Sequence, residues 1–586
     1  MTAIGPVPNP FPRLGRILTR AMWWMEHAFE RARASGKAED DARLRIFFVL
    51  AIFFAGFCTL GVFATKAALF SGLSAGTTGV VATPGQRADL VDRDGRLLAL
   101  DLVHYRLFID PREVTDVAAT RAALLSAQPD ISPARLDRAL AGESRVFLTG
   151  GLTPQDRQRV HDLAMPGISF EEEGGRAYPL GITGAHVIGY ASSDGRGLAG
   201  AERAFDSTII AQAGQADVPL SIDLRVQAAL QEELRRAATG FTANGAAGIV
   251  VNVRTGEILA LASYPDFDPN NPGAASPAAL KNNVANALYE PGSVMKIFTV
   301  AMGLDAGVAN VNTMLDARTP LALGGQTIND YDHDNAMLPL WEVFTHSSNI
   351  GSARLGMMVG PQRMEQYWRR FGLFNAAPSE LMESARPITP RAMTSNVVAS
   401  MAFGHAIAVT PLSLATGMSS ILNGGVYRPL TLRRLQPGQS PAPGRRVISA
   451  ATSRTMLNLM RLNVTNGTGG KANAPGLRVG GKTGSAEKPA GGTYARNRLV
   501  SSFAAVFPTD GPLEADRYLV LIMLDEPHAT AETFGFATGG WTAAPAAGRV
   551  IDRIGPLLGV RRILLPSDTG PRAPVNPAML TGGEEQ

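Results

Sequence analysis

The sequence predicts a membrane-anchored protein whose main exported part is a single α/β (α+β) domain, from about residue 218 to 562. Strand-like runs stand at both ends of that region, AAGIVVNV and ILALASYP at the start, then LRVGGKTG, RLVSSFAAVF and RYLVLIML at the end. The long middle between them is mainly helical in pattern. Upstream, Ile46 to Thr65 is 20 residues without a charge, enough to cross a bilayer as a helix.

Taken in order, residues 1–45 form a basic arm, with eight Lys/Arg from Arg13 to Arg45 against five acids. The positive-inside rule puts this arm in the cytoplasm, makes 46–65 the transmembrane helix and exports the rest. A cleaved signal peptide competes, but the apolar run is too long and the basic arm too extended for one. A buried core helix explains the basic flank poorly. Net charge of +4 over 586 residues implies no nucleic-acid partner. Cys58 is the single cysteine, so neither an internal disulfide nor a cysteine-based metal site is possible.

Residues 66–217 read as a non-catalytic pedestal or docking module. SGLSAGTTG, from Ser71 to Gly79, is a linker. A hairpin follows around Asp94-Gly95, then a helical pattern from Arg112 to about Asp162, then a glycine-rich, loop-like run from Gly174 to Asp206. After a boundary near Gln215 to Pro219, LSIDLRVQAALQEELRRAA is an amphipathic helix. Two β-rich runs turn at Thr255-Gly256, and GGWTAAPAAGRVIDRIG closes the domain as a helix. The Pro-rich tail, 563–586, is expected to be disordered. There is no internal repeat.

The chemistry concentrates in three short motifs. In YEPGSVMKIFTVAMGLDAG, residues from Val294 to Leu304 are apolar all round a helix, yet Lys296 sits among them. Only seven of the 55 basic residues are lysines. Ser293 precedes Lys296 by three, which places both on one helix face, about 5–6 Å apart at Cβ. A serine hydroxyl needs a base, and lysine serves if desolvation lowers its pKa, which arginine never permits. A snorkelling lysine beside a serine N-cap is the structural alternative. Ser347-Ser348-Asn349 leads into another apolar helix, and by itself it reads equally as an N-cap cluster. Lys482-Thr483-Gly484-Ser485 ends a strand and reads equally as a turn. S-x-x-K, S-x-N and K-T-G in that order form the penicilloyl-serine transferase set.

With these motifs the chain resembles the class B penicillin-binding proteins, on the side of their septal, FtsI-like branch. The likeness extends from the anchor to about Arg553 and includes RTGEILALASYPDFDPNNP, FGHAIAVTPLSLA, NGGVYRPL and NGTGGKA, with DRDGRLLA and GLAGAE in the N-terminal module. S-S-N, where the elongation branch tends to have S-x-D, favours the division branch. KNNVANALYEPGS departs from an arginine-containing version expected there. The resemblance implies a penicillin-binding transpeptidase, serine β-lactamase-like fold: a five-stranded antiparallel sheet flanked by helices plus an all-helical subdomain, after a mixed pedestal or dimerisation-like module. It implies a D,D-transpeptidase that crosslinks D-Ala-D-Ala stem peptides and is acylated by β-lactams, at the septum of the bacterial inner membrane. Ser293 is then the nucleophile and Lys296 its base. Ser347 relays a proton to the leaving amine with Lys482, and Asn349 orients Lys296 and the substrate amide. Thr483, Gly484 and Ser485 bind substrate, with backbone N–H groups of Ser293 and Ser485 as oxyanion hole. An FtsW-like glycosyltransferase and other divisome membrane proteins are the implied partners. No cofactor or metal is implied.

Other readings share these residues. A β-lactamase is typically a secreted domain without the extra module, and a penicillin-sensing receptor normally has several membrane spans. A bifunctional synthase needs a glycosyltransferase domain for which 66–217 is too short. An elongation-type enzyme, a D,D-carboxypeptidase or an inactive division scaffold stays open. NDYDHDNAMLPLWE resembles a calcium loop, but Asn335 and Trp341 stand where Gly and Glu are needed, so it reads as a solvated turn. His405 reads as structural.

Overall fold

The computed structural model describes residues 87–565, apart from 130, 332–335 and 491–492, with scattered residues between 23 and 61 and between 568 and 580. The chain divides into two compact units, 1–81 and 82–586. In the first, most of the expected membrane helix at 46–65 lies outside the described residues. Those described, such as Phe53, Phe54 and Phe57, are helical and exposed. Among the described residues no helix is long and apolar enough to cross a membrane.

The second unit starts with a mixed sheet. Strand β1 (Leu90–Val91) turns at Asp94-Gly95, with Gly95 at φ 82°, into the long β2 (Leu97–Ile109). Strands β3 (Val146–Leu152) and β4 (Ile168–Ala177) both pair with β2, and β5 (Val218–Pro219) pairs parallel to β1. The stretch read as helical from 112 to 162 is three helices interrupted by β3. Pairing with β2 buries Leu148 and Leu152 beside Leu107, Leu124 and Val160, so tertiary pairing overrides local pattern there. The stretch read as loop from Gly174 likewise begins inside β4, paired with Leu100 to Val103. Beneath this sheet Glu202, fully buried, is held by two arginines at 2.6 Å each, Arg87 and Arg176. Arg87 also reaches Asp206, and Arg176 reaches Asp101. A buried carboxylate left without such partners would be strongly destabilising.

The chain leaves β5 for helix α1 (Leu224–Gly240), capped by Asp223, then strands β6 (Gly245–Asn252) and β7 (Ile258–Tyr264). Helices α2 (Lys296–Asp305), α3 (Asn349–Val359), α4 (Pro411–Leu422) and α5 (Ala450–Asn466) fill the middle. Strands β8 (Gly480–Ala490), β9 (Thr493–Phe507) and β10 (Tyr518–Asp525) and helix α6 (Ala543–Leu557) complete it. The sheet runs β8-β9-β10-β6-β7, antiparallel throughout, as the sequence resemblance implies.

Both faces of this sheet are covered. Val250, Leu259, Val520 and Ile522 pack under Leu230 and Leu234 of α1 and Val550, Ile551 and Ile554 of α6. Ile249, Val251, Leu519 and Leu521 face α2, α4 and α5. Burial on both sides explains why these strands read as continuous apolar runs without alternation. Most of the tail lies outside the described residues. Among those described, Ile563 and Leu564 are exposed, Asp568 pairs with Arg461 at 2.7 Å, and Leu580 is buried in the core.

Candidate active site

The site forms where α2, α3 and β8 meet. Pro291 opens a 3₁₀ turn, Gly292–Met295, which runs directly into α2. Ser293 is half-buried on this turn, while Lys296 one turn later has no solvent exposure. Apolar neighbours dictate that: Val294, Met295, Ile297, Phe298 and Val300 are all fully buried. The lysine is thereby forced to end among polar groups of the site.

Its amine finds four. Lys296 Nζ lies 3.0 Å from Ser293 Oγ and 3.0 Å from Ser347 Oγ, and it donates to Asn349 Oδ1 at 2.8 Å and to the Ser347 carbonyl. Burial pushes the Lys296 pKa well below the ordinary lysine value, the nearby Lys482 charge adds to the depression, and Asp330 acts against it. The motifs at 293–296 and 347–349, some fifty residues apart in the chain, thus converge on one nitrogen.

Ser347 sits at φ 63°, a left-handed backbone unusual for a non-glycine residue. This bend turns the chain out of the helix Leu340–Thr345 and presents both the Ser347 hydroxyl and its carbonyl to Lys296. Ser348 is the N-cap of α3, accepting from Gly351 N at 2.9 Å, so the N-cap reading of this motif is correct for Ser348.

Strand β8 is the edge strand of the sheet and carries Lys482, Thr483, Gly484 and Ser485. Lys482 is completely buried, pushed down to about 7 by desolvation, and its amine lies 3.3 Å from the Thr483 carbonyl. The hydroxyls of Thr483 and Thr468 are 2.9 Å apart, and Ser485 Oγ accepts from Gly539 N at 3.0 Å. Gly484 faces the turn that carries Ser293. A Cβ there would stand 2.2 Å from Ser502 Oγ and 3.0 Å from both the Pro291 carbonyl and a Val294 methyl. Only glycine lets the strand come this close.

Sequence reasoning misread one residue. Asp330, expected in a solvated turn, accepts from Ser348 Oγ at 2.6 Å, from Ile350 N at 3.0 Å and from Asn349 N. Its carboxylate therefore caps α3 from outside and fixes the residues that hold Lys296. The flanking Asp332 and Asp334 lie outside the described residues. Asp330 is eighteen residues before Ser348, and no single helix or strand spans the two, so no periodicity links them. Its position two residues beyond the strand Gln326–Ile328 was the available signal. His405 pairs with Glu290, three residues before Ser293, at 2.9 Å. The described acidic group Asp92, Asp94 and Asp223 is occupied by Arg96 and Arg225.

Comparison with known proteins places the chain among relatives. Residues 246–551 match the penicillin binding protein transpeptidase domain, and 82–233 match the penicillin-binding protein dimerisation domain. The chain is 54% identical to a probable peptidoglycan D,D-transpeptidase FtsI of Caulobacter vibrioides, over 95% of each chain. It is 30% identical to peptidoglycan D,D-transpeptidase FtsI of Escherichia coli, over 79% of this chain and 82% of that one. Among solved structures, penicillin binding protein 3 of Mycobacterium tuberculosis, complexed with aztreonam, superposes with a TM-score of 0.64 at 24% identity, covering 84% of this chain and all of the other.

Proposed function

The chain belongs to the class B penicillin-binding proteins, FtsI-like in kind, and from that premise we propose how its residues crosslink stem peptides of the septal cell wall. It is a serine-type peptidoglycan D,D-transpeptidase. Ser293 Oγ attacks the penultimate D-Ala carbonyl of a donor stem peptide while neutral Lys296 Nζ takes its proton. The tetrahedral oxyanion receives the backbone N–H groups of Ser293 and Ser485. The proton on Lys296 passes through Ser347, supported by Lys482, to the departing amine, the C–N bond breaks, and the terminal D-Ala leaves an acyl ester on Ser293. The amine of a second stem peptide gives its proton to Lys296 as it attacks that ester, the C–O bond breaks, and the proton returns to Ser293 Oγ, forming the crosslink and freeing the serine. Asn349 orients Lys296 and the substrate amide, and Thr483, Gly484 and Ser485 take the substrate carboxylate and backbone. A β-lactam follows the first half of this route.

The observation that carries the assignment is the 3.0 Å separation of Ser293 Oγ and Lys296 Nζ, with the lysine fully buried. Desolvation makes the amine a usable base at neutral pH, and a serine at hydrogen-bond distance is the group it can activate. The edge position of β8 supports a donor peptide lying along it as an added strand. Labelling with a fluorescent penicillin tests the reading: wild type is labelled and Ser293→Ala is not. Retained labelling would place the nucleophile elsewhere. Assayed with lipid II and a partner polymerase, stem-peptide dimers support the transpeptidase, clipped monomers a carboxypeptidase, and no product a scaffold.

The proposal includes a single inner-membrane anchor at 46–65, supported by the uncharged run and its basic flank, with the catalytic domain on the periplasmic side. It also includes an FtsW-like glycosyltransferase as partner, supported by the FtsI names of the relatives.

A further inference from the structure

The turn that carries Ser293 is gripped from two sides. Toward β8, a Cβ on Gly292 would come within 2.7 Å of the Ser485 carbonyl. Toward residues 404–406, a Cβ on Gly404 would lie 2.0 Å from the Gly292 carbonyl oxygen, and Gly292 N donates to Gly404 O at 3.2 Å. Gly292 itself is at φ 56° and has no side chain to hold it there, so its neighbours set its conformation.

Those neighbours are fastened by Glu290. One carboxylate oxygen faces His405 Nδ1 at 2.9 Å, and the other accepts from Ala406 N at 3.1 Å. Ala406 is at φ 61°, a left-handed backbone that alanine rarely adopts without outside support. The His405 ring packs against Phe403, with centroids 5.2 Å apart. Tyr289 and Val409 exchange two backbone hydrogen bonds of 3.0 Å, which anchors the far end of the same two segments. A carboxylate three residues before the nucleophile thus clasps a strained loop that lies on the nucleophile's own peptide.

We propose that Glu290 and His405 are positioning residues. Their contact holds Gly404 against Gly292 and so aims the Ser293 N–H at the developing oxyanion. The inference rests on Ser293 being the nucleophile. An oxyanion donor acts only when it is preorganised toward the charge of the transition state, so loosening the clasp slows acylation more than it weakens binding. Binding of the substrate carboxylate belongs to Thr483 and Ser485 on β8, which the clasp does not touch.

The test uses the full-length, detergent-solubilised protein and a chromogenic cephalosporin, with the noncovalent Kd and the acylation rate constant measured separately. Glu290→Ala and His405→Ala should each slow acylation about tenfold or more, with Kd within about twofold of wild type. The double variant should be no slower than the slower single one, because both remove one contact. His405→Gln, which keeps a donor, should recover most of the rate. An unchanged rate in either alanine variant, additive losses in the double, or Kd and melting temperature moving in step with the rate would overturn the inference. Ser293→Ala is the parallel control: labelling there overturns the nucleophile assignment, whereas Ser293-dependent labelling at an unchanged rate overturns the clasp alone.

Discussion

Asp330 and Ser348 are joined by a 2.6 Å hydrogen bond that ties a residue just beyond a short strand to the head of the helix carrying Asn349. Because the same carboxylate accepts from two backbone N–H groups of α3, it acts on Lys296 through both geometry and charge. Asp330→Ala removes an external helix cap, which should destabilise the domain by about 1 kcal/mol. Acylation by penicillin should slow by more than the stability loss explains, since Asn349 Oδ1 loses its fixed place 2.8 Å from Lys296. Stopped-flow acylation beside thermal unfolding checks this. A variant with wild-type rate and stability would show Asp330 to be an incidental contact.

Lys296→Arg keeps the positive charge and most of the volume but can neither deprotonate nor fit the four partners of a single amine. Acylation should fall by at least about 100-fold, the usual contribution of a general base. Penicillin labelling over hours, with circular dichroism to confirm folding, gives the answer. An active arginine variant would remove the lysine from the mechanism.

The two lysines predict a pH profile. In the proposed mechanism the neutral form of Lys296 is the base, so acylation should be present above its depressed pKa and be lost as pH falls through it. The charged form of Lys482 is the one suited to supporting the proton relay through Ser347, and with a pKa of about 7 it is lost as pH rises through neutrality. The free-enzyme profile of acylation efficiency should therefore fall above about pH 7, and Lys482→Arg, if folded, should lose that limb because its charge persists. A limb unmoved in Lys482→Arg would assign it to another group.

Lys482 also couples to stability. Its folded pKa lies below the unfolded value of 10.5, so between these values the unfolded chain binds a proton that the folded one does not. Stability should rise with pH across that window, and the full cost of the buried amine is borne below about pH 7. Lys482→Met should stabilise the protein at pH 6.5, on the order of 3 kcal/mol, while abolishing acylation. Chemical denaturation at pH 6.5 and 9 measures both the gain and its shrinkage with pH. A less stable methionine variant would mean that the amine is better satisfied than its contacts indicate.

Gly484→Ala adds one methyl where Ser502 Oγ is 2.2 Å away and the Pro291 carbonyl 3.0 Å away. Either β8 or the nucleophile turn must retreat. A misplacement approaching 1 Å costs about 100-fold in rate, so acylation should drop steeply while secondary structure is retained. Penicillin labelling at matched concentrations, with far-ultraviolet circular dichroism, tests it. Wild-type labelling would show the interface to be more compliant than its packing suggests.

Much of this site was legible because its chemistry is local. A lysine wrapped in apolar residues one turn after a serine, a second lysine in a strand-like run, which the structure places near the start of β8 and not at a strand's end, and an S-x-N before an apolar helix are each visible as a conflict or a cap within a few residues. The strands of the main sheet were equally plain, since burial on both faces makes them continuous apolar runs. In the pedestal, where β3 and β4 are held by pairing with β2, local pattern misled: Val146–Leu152 contains two glycines, and Leu148 and Leu152 are buried only through the partner strand.

The sequence by itself determined the proposed reacting groups, because of the two long basic side chains only lysine can lose its proton on burial, and the apolar sequence around Lys296 favours that burial. Only the tertiary structure decided what holds them. Asp330 reaches Ser348 across 18 residues, and Glu290 reaches Ala406 across 116 residues. Such contacts depend on which backbone groups are left unpaired where distant segments meet. Those groups exist only after the chain has folded, so no periodicity or motif announces the carboxylates that satisfy them.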